Sequence, residues 1–277
     1  MSSGSPRRNA AIRLRRWFGV AAVGAGLAVA PALADGPVCA SPDGEPVWAE
    51  RVVRGDELVL IDGRRIRLDA VEAPHPPLTA RGAAMQEAAA VEAAARSALA
   101  ERVEGREIAF EETGTDRHGR RVGHLYDTEA GQWIEEELVA AGHLRVVPTV
   151  ASRVCAARLL PAERHAAAAG RGLWATASFA AATVTDLAPR VGRWTVVEGT
   201  VRSVGRSSGR VWLNFGEDFQ RDFAVVLEDK DLGGFRAAGF DATAARGWTV
   251  RVRGVVYRRG GPRIAVEVPE AIERVTR

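Results

Sequence analysis

Five residues in the first half of the chain have types that can hold a cation, hold an anion or move a proton. They are two acids, Asp56 and Glu72, two arginines, Arg67 and Arg120, and a histidine, His75. Two carboxylates from neighbouring segments give hard oxygen donors suited to calcium. Arginines from different loops can clamp a phosphate, because their planar donors match its oxygens. A histidine titrates near neutrality and can act as a general base. Each residue also has a plain structural use: an acid after glycine serves a turn, and an arginine on a strand or turn serves a solvated face.

For these residues to meet, the chain between them must close on itself. Residues 47–53 read as a strand, and Gly55-Asp56 turns the chain into a second at 57–61. Asp62-Gly63 is a hairpin signal leading to a third strand at 64–71. In that strand Ile66 and Leu68 alternate with Arg65 and Arg67, so one face is apolar and the other charged. Ala73 to Pro77 is a proline-stiffened loop, and Thr79 caps an alanine-rich helix that runs to about Val103 and stops at Gly105. Strands at 106–112 and 121–126 flank a turn at Thr115 to Arg120, and helices at 133–141 and 152–169 follow. The order is three strands, a helix, two strands and two helices.

That order carries a set of motifs. Gly55-Asp56 precedes Arg67-Leu68-Asp69-Ala70-Val71-Glu72-Ala73-Pro74. Asp116-Arg117-His118-Gly119-Arg120 forms the later turn, and Gly170-Arg171-Gly172-Leu173-Trp174 ends the segment. Together these pieces resemble staphylococcal nuclease, the thermonuclease family, over about residues 45–175. The resemblance implies a mainly β fold with α: a five-stranded OB-fold β-barrel with three helices. It implies an enzyme that hydrolyses DNA or RNA with a divalent metal. Asp56 and Glu72, with the backbone carbonyl of Ala73, would hold the metal, and Arg67 and Arg120 would hold the phosphate.

The motifs also depart from the family. Glu72 stands where aspartate is usual, and Glu57 follows Gly-Asp where threonine is usual. His75 stands where the family has the glutamate that handles the attacking water. His75 is either the base on that water or a solvated loop residue. Calcium is the metal the resemblance implies, and a histidine in the site shifts the expectation towards manganese or zinc. After Gly142 the family often offers tyrosines that stack on the nucleotide; residues 144–150 offer Arg145 and no aromatic. His118, beside Arg120, is a further candidate for contact with a phosphate. The alternative to hydrolysis is a retained fold that binds nucleic acid or a protein partner without cutting.

Residues 176–192 are small and polar and read as a linker. From Arg193 the pattern is strand-rich: 194–204, 210–215, 221–227, a helix at 230–238, then 248–258 and 262–268. Five strands with a helix between the third and fourth is again an OB order, so 193–277 reads as a second, smaller OB-like β-barrel. Its arginines and the aromatics Trp212, Phe215, Phe219 and Phe223 around Asn214 are compatible with single-stranded nucleic acid. They are equally compatible with core aromatics under a solvated basic face.

The formal net charge of +3 is set by the first segment. Residues 1–34 hold five arginines and no acid; taking these from the 38 basic residues leaves 33 against 35 acids. A basic n-region, an apolar run from Trp17 to Val29 and Ala32-Leu33-Ala34 read as a signal peptide, so an exported, periplasmic or secreted chain from Asp35 is expected, without stable membrane insertion. The domains are then 1–34, 35–175, the linker 176–192 and 193–277. Export permits disulfides, and the two cysteines, Cys39 and Cys155, are expected to pair.

Overall fold

The computed structural model describes residues 39–76 and 81–275. The expected signal peptide and Thr79 lie outside the described residues.

The first barrel is built from β1 (Glu45–Arg54), β2 (Glu57–Leu60), β3 (Arg65–Leu68), β4 (Glu107–Thr115) and β5 (Arg121–Asp127). β1 is long enough to serve two neighbours. Its first four residues pair antiparallel with β4, and its later part pairs with β2 across two register shifts. β2 continues to β3, β4 pairs with β5, and β3 runs parallel to β5 from Ile66–Arg121 to Leu68–Gly123. The sheet therefore closes on itself and leaves no free barrel edge. This is the five-stranded OB order expected from the sequence. Leu58, Leu60, Ile66, Leu68, Phe110 and Leu125 fill it, each no more than 1% exposed.

Three helices cover the barrel: α1 (Gly82–Val103), α2 (Ile134–Ala140) and α3 (Arg153–Ala168). α1 buries Ala88, Ala95, Ala98, Leu99 and Val103, a stripe of small side chains that permits close packing. Cys39 and Cys155 form the expected disulfide, with Cα atoms 5.4 Å apart, tying the segment before β1 to α3. Closing a loop of 116 residues restricts the unfolded chain and stabilises the fold by about 4–5 kcal/mol on the chain-entropy account.

The second barrel uses β6 (Trp194–Thr200), β7 (Ser203–Ser207), β8 (Arg210–Asn214), β9 (Ala224–Glu228), α4 (Leu232–Ala237), β10 (Thr249–Val255), β11 (Tyr257–Arg259) and β12 (Gly261–Ala265). β6 and β7 are two parts of one bent strand, split at Val201-Arg202. β7, β8 and β9 form a meander, β9 lies parallel to β12, β12 pairs with β11, and β10 pairs with β6. The strand order repeats that of the first barrel, with α4 between the third and fourth strands.

The segment read as a linker is packed. Ala182–Thr183 adds a short parallel strand to β6, while Phe179 and Leu187 are buried. Phe179 joins Ala88, Ala166, Leu173, Trp174 and Val196 in a small apolar cluster between the barrels. Beside it Arg253, fully buried on β10, donates from Nη2 to Glu163 of α3 and to Glu273, both at 3.0 Å. Among the described residues no helix is long and apolar enough to cross a membrane.

Candidate nucleic-acid cleft

β3 does not run to residue 71 as its alternation suggests. Ala70 takes φ 59°, a left-handed conformation unusual for a residue with a side chain, and breaks the strand after Leu68. Val71–Glu72 then leaves the barrel and pairs antiparallel with Arg145–Val146, which sets Glu72 opposite Arg145. Arg145 closes on that carboxylate with two donors, Nη2 at 2.6 Å and Nε at 3.1 Å. Its third nitrogen, Nη1, donates to the backbone oxygen of Trp194 at 3.2 Å, and the guanidinium lies 4.7 Å from the Trp194 ring centroid. The residue after the first barrel's second helix is thus fastened to the first strand of the second barrel.

Around this pair lies a cleft of about 550 Å³. Arg67, Glu72, His75 and Arg145 line it from the first barrel, and Phe179, Arg193 and Trp194 line it from beyond residue 175. Arg67 is half-buried between Ile66 and Leu68 and makes no hydrogen bond or ion pair with a described residue. Arg193 donates to the backbone oxygen of Ser178 at 2.7 Å and has no carboxylate partner among the described residues. Burial, with Arg190 and Arg145 nearby, pulls its pKa down to about 10. A guanidinium so desolvated, among its own kind and without a counter-charge, marks a place where an anion would be stabilised.

The other expected site residues are placed differently. Asp56 is 2% exposed, behind a turn packed so closely that a Cβ on Gly55 would lie 2.7 Å from that of Ala95. Its Oδ1 has no hydrogen-bond partner among the described residues, although Arg54 Nε lies 3.3 Å away. Burial pushes its pKa up, more than Arg54, the Ala73 N–H and Arg67 pull it down. His75 is exposed; its Nδ1 lies 3.5 Å from the Ala73 carbonyl oxygen and 3.8 Å from Glu72. His118 is exposed and contacts Arg117, while its backbone N–H donates to Asp116.

Arg120 does not line the cleft. It donates to Asp116 from Nε at 2.7 Å and to Glu57 from Nη1 at 2.6 Å. Glu57, buried at 3% exposure, also holds Arg65. The glutamate that departs from the family motif is therefore the group that captures the second expected phosphate clamp. Sequence reasoning missed this pairing and missed Phe179, Arg193 and Trp194 altogether. The only local sign was the Arg193-Trp194 pair at a strand start.

A divalent cation needs an excess of negative oxygen donors. Here Glu72 is already neutralised by Arg145, Asp56 faces Arg54, and the Ala73 carbonyl is approached by His75. No group of three or more His, Cys, Asp or Glu side chains among the described residues is arranged to hold a metal. As arranged, Glu72 could take a cation only by releasing Arg145, while the side chains of Arg67 and Arg193 in the cleft have no ion pair among the described residues.

Residues 65–176 match the family described as staphylococcal nuclease homologue. The matched stretch includes Arg67, Glu72, His75, Arg120 and Arg145, while Asp56 precedes it. No curated protein matches the chain.

Proposed function

We propose, for a chain whose residues 65–176 form a staphylococcal-nuclease-type domain, that it binds nucleic acid after export, seating a phosphodiester in the cleft between its two barrels. The observation that carries this reading is the pair Arg67 and Arg193, which line the cleft without a carboxylate to match them. Arg67 supplies two parallel donors to a phosphate, and the half-buried setting of both side chains strengthens the attraction over that of solvated arginines. Trp194 and Phe179 bring aromatic side chains to a cleft to which residues 144–150 offer none. The Cys39–Cys155 bridge suits the oxidising compartment that export would provide.

Hydrolysis is the second reading, and Asp56 favours it. A buried carboxylate with one unpartnered oxygen, within electrostatic reach of Arg67 and Glu72, is an unusual expense for a fold to keep without use. One experiment separates the two. Fluorescent DNA and RNA are mixed with the chain from Asp35 in EDTA, calcium, manganese or zinc, and both anisotropy and strand length are followed. Binding in EDTA that weakens at least tenfold in Arg67→Ala, with strands intact throughout, is the expected result. Cutting in any metal that disappears in Arg67→Ala would replace the binding reading with the enzyme. Unchanged affinity in Arg67→Ala would remove the cleft from either.

A further inference from the structure

The cleft is not an isolated hollow. Val191 lines both the cleft and a second cavity of about 590 Å³, on the second barrel, that also receives Arg202, Arg221 and Arg258. Glu217 lines that cavity and a third, of about 710 Å³, walled by Trp212, Asn214, Phe219, Arg206, Arg259 and Arg263. Three hollows therefore follow one another from the first barrel over the face of the second.

The far hollow has the chemistry of a base-stacking platform. Phe219 is 63% exposed and its ring lines the hollow. Its loop is pinned. Arg263 donates to the Phe219 carbonyl at 3.0 Å, and the Asp222 carboxylate accepts from the N–H of Asp218 at 2.9 Å. The hairpin turn presses on the loop so closely that a Cβ on Gly261 would lie 2.2 Å from the Arg221 oxygen. An exposed ring on a pinned loop can stack on a base with little further ordering cost. Across the hollow, Arg263 lies 5.3 Å over the Trp212 ring; it is 6% exposed, and its Nε has no hydrogen-bond partner among the described residues.

The charges along the way suit a phosphate backbone. Arg258 and Arg259 form no ion pair among the described residues, whereas Arg202 is paired with Glu217 and Arg206 with Asp229. The carboxylates facing the path are Glu217, highly exposed and paired with Arg202, and Asp222, held within its own loop.

We infer that the second barrel carries a single strand onward from the cleft, tracking its phosphates with Arg258 and Arg259 and stacking a base in the hollow between Phe219 and Trp212. This rests on the nucleic-acid reading of the cleft for the strand's starting point. A duplex cannot use the hollow, because its bases are already stacked. OB barrels that bind single strands cover roughly 4 to 16 nucleotides each, so the path predicts affinity that grows with length over that range.

The test uses the full chain from Asp35 in EDTA, with labelled single-stranded DNA and RNA from about 3 to 16 nucleotides and a matching duplex. Affinity for at least one of the two single strands should rise with length and exceed that for the duplex. Phe219→Ala, at an exposed site and checked by melting temperature, should weaken the longest strand about tenfold and leave the shortest unchanged. Arg258→Ala with Arg259→Ala should flatten the salt dependence for long strands only. Equal affinity at every length, a preference for duplex, or wild-type affinity in Phe219→Ala would overturn the inference. If instead Arg67→Ala leaves the shortest strand's affinity unchanged while Phe219→Ala still weakens the longest, the cleft reading fails and the barrel site stands.

Discussion

Arginines sit at two places where the barrels meet, and they are treated in opposite ways. On one side Arg253 is fully buried and matched: Glu163 and Glu273 accept from its Nη2, and the Glu270 backbone oxygen accepts from Nη1 at 2.9 Å. Glu163 uses its other oxygen to accept from the N–H of Val146 at 2.7 Å, so this point also braces the strand that carries Arg145. On the other side Arg67 and Arg193 line a cavity with no carboxylate of their own. The same residue type closes the interface in one place and, on the function proposed above, is left open to an anion in the other. The difference between the two places is the local charge balance.

The largest effect should come from breaking the closed side. Arg253→Ala strands Glu163 without its counter-charge and should cost about 3–5 kcal/mol in urea unfolding. Unchanged stability would show that the matched arginine holds nothing, and the contrast would dissolve. On the open side the order of effects should invert. Arg67→Ala should lower affinity for nucleic acid at least tenfold and reduce the slope of log affinity against log salt by about 1. Its unfolding free energy should change by no more than about 1 kcal/mol, because its side chain makes no hydrogen bond or ion pair with a described residue and only its pull on Asp56 and some packing are lost. Arg193→Ala should likewise weaken binding, and relief of repulsion from Arg190 and Arg145 should leave stability equal or slightly higher, as read by thermal melting.

A smaller effect sharpens the same contrast between matched and unmatched charge through pH. The Asp116 carboxyl is partly opposed by burial but held down to about 2 by Arg120 and two backbone N–H groups. A lowered folded pKa contributes stability that is present above the ordinary value of 3.8 and lost as pH falls from there towards 2. Asp56 has the opposite sign. Burial raises its pKa, so the folded state holds its proton more tightly than the unfolded chain, and stability is lost as pH rises above 3.8. Asp56→Asn should therefore melt above the parent at neutral pH, and the gap should close on acidification. Asp116→Asn should melt below the parent at neutral pH, and that gap too should close in acid. Melting curves across the acid range check both, and parallel behaviour of the two variants would contradict the assignment of one carboxyl as matched and the other as not.

Both barrels could be read from local sequence pattern. The alternation of Arg65 to Leu68, the Asp62-Gly63 turn and the glycine that ends α1 are local signals, and strand formation is decided within a few residues. The repeat of the OB order after residue 193 was legible for the same reason, and an even cysteine count pointed to one disulfide. Which charged residues meet one another follows from the long-range fold. The contact of Arg120 with Glu57, 63 positions away, is set by the fold. So is the meeting of Glu72 with Arg145, where Val71–Glu72 leaves the barrel. Residues 176–192 read as a linker because small polar residues look alike in a tether and in a packed segment, yet this stretch and the two residues after it wall the cleft. Periodicity is written into neighbouring residues. Charge pairing depends on which distant side chains the fold sets within a few ångströms, and no local pattern records that distance.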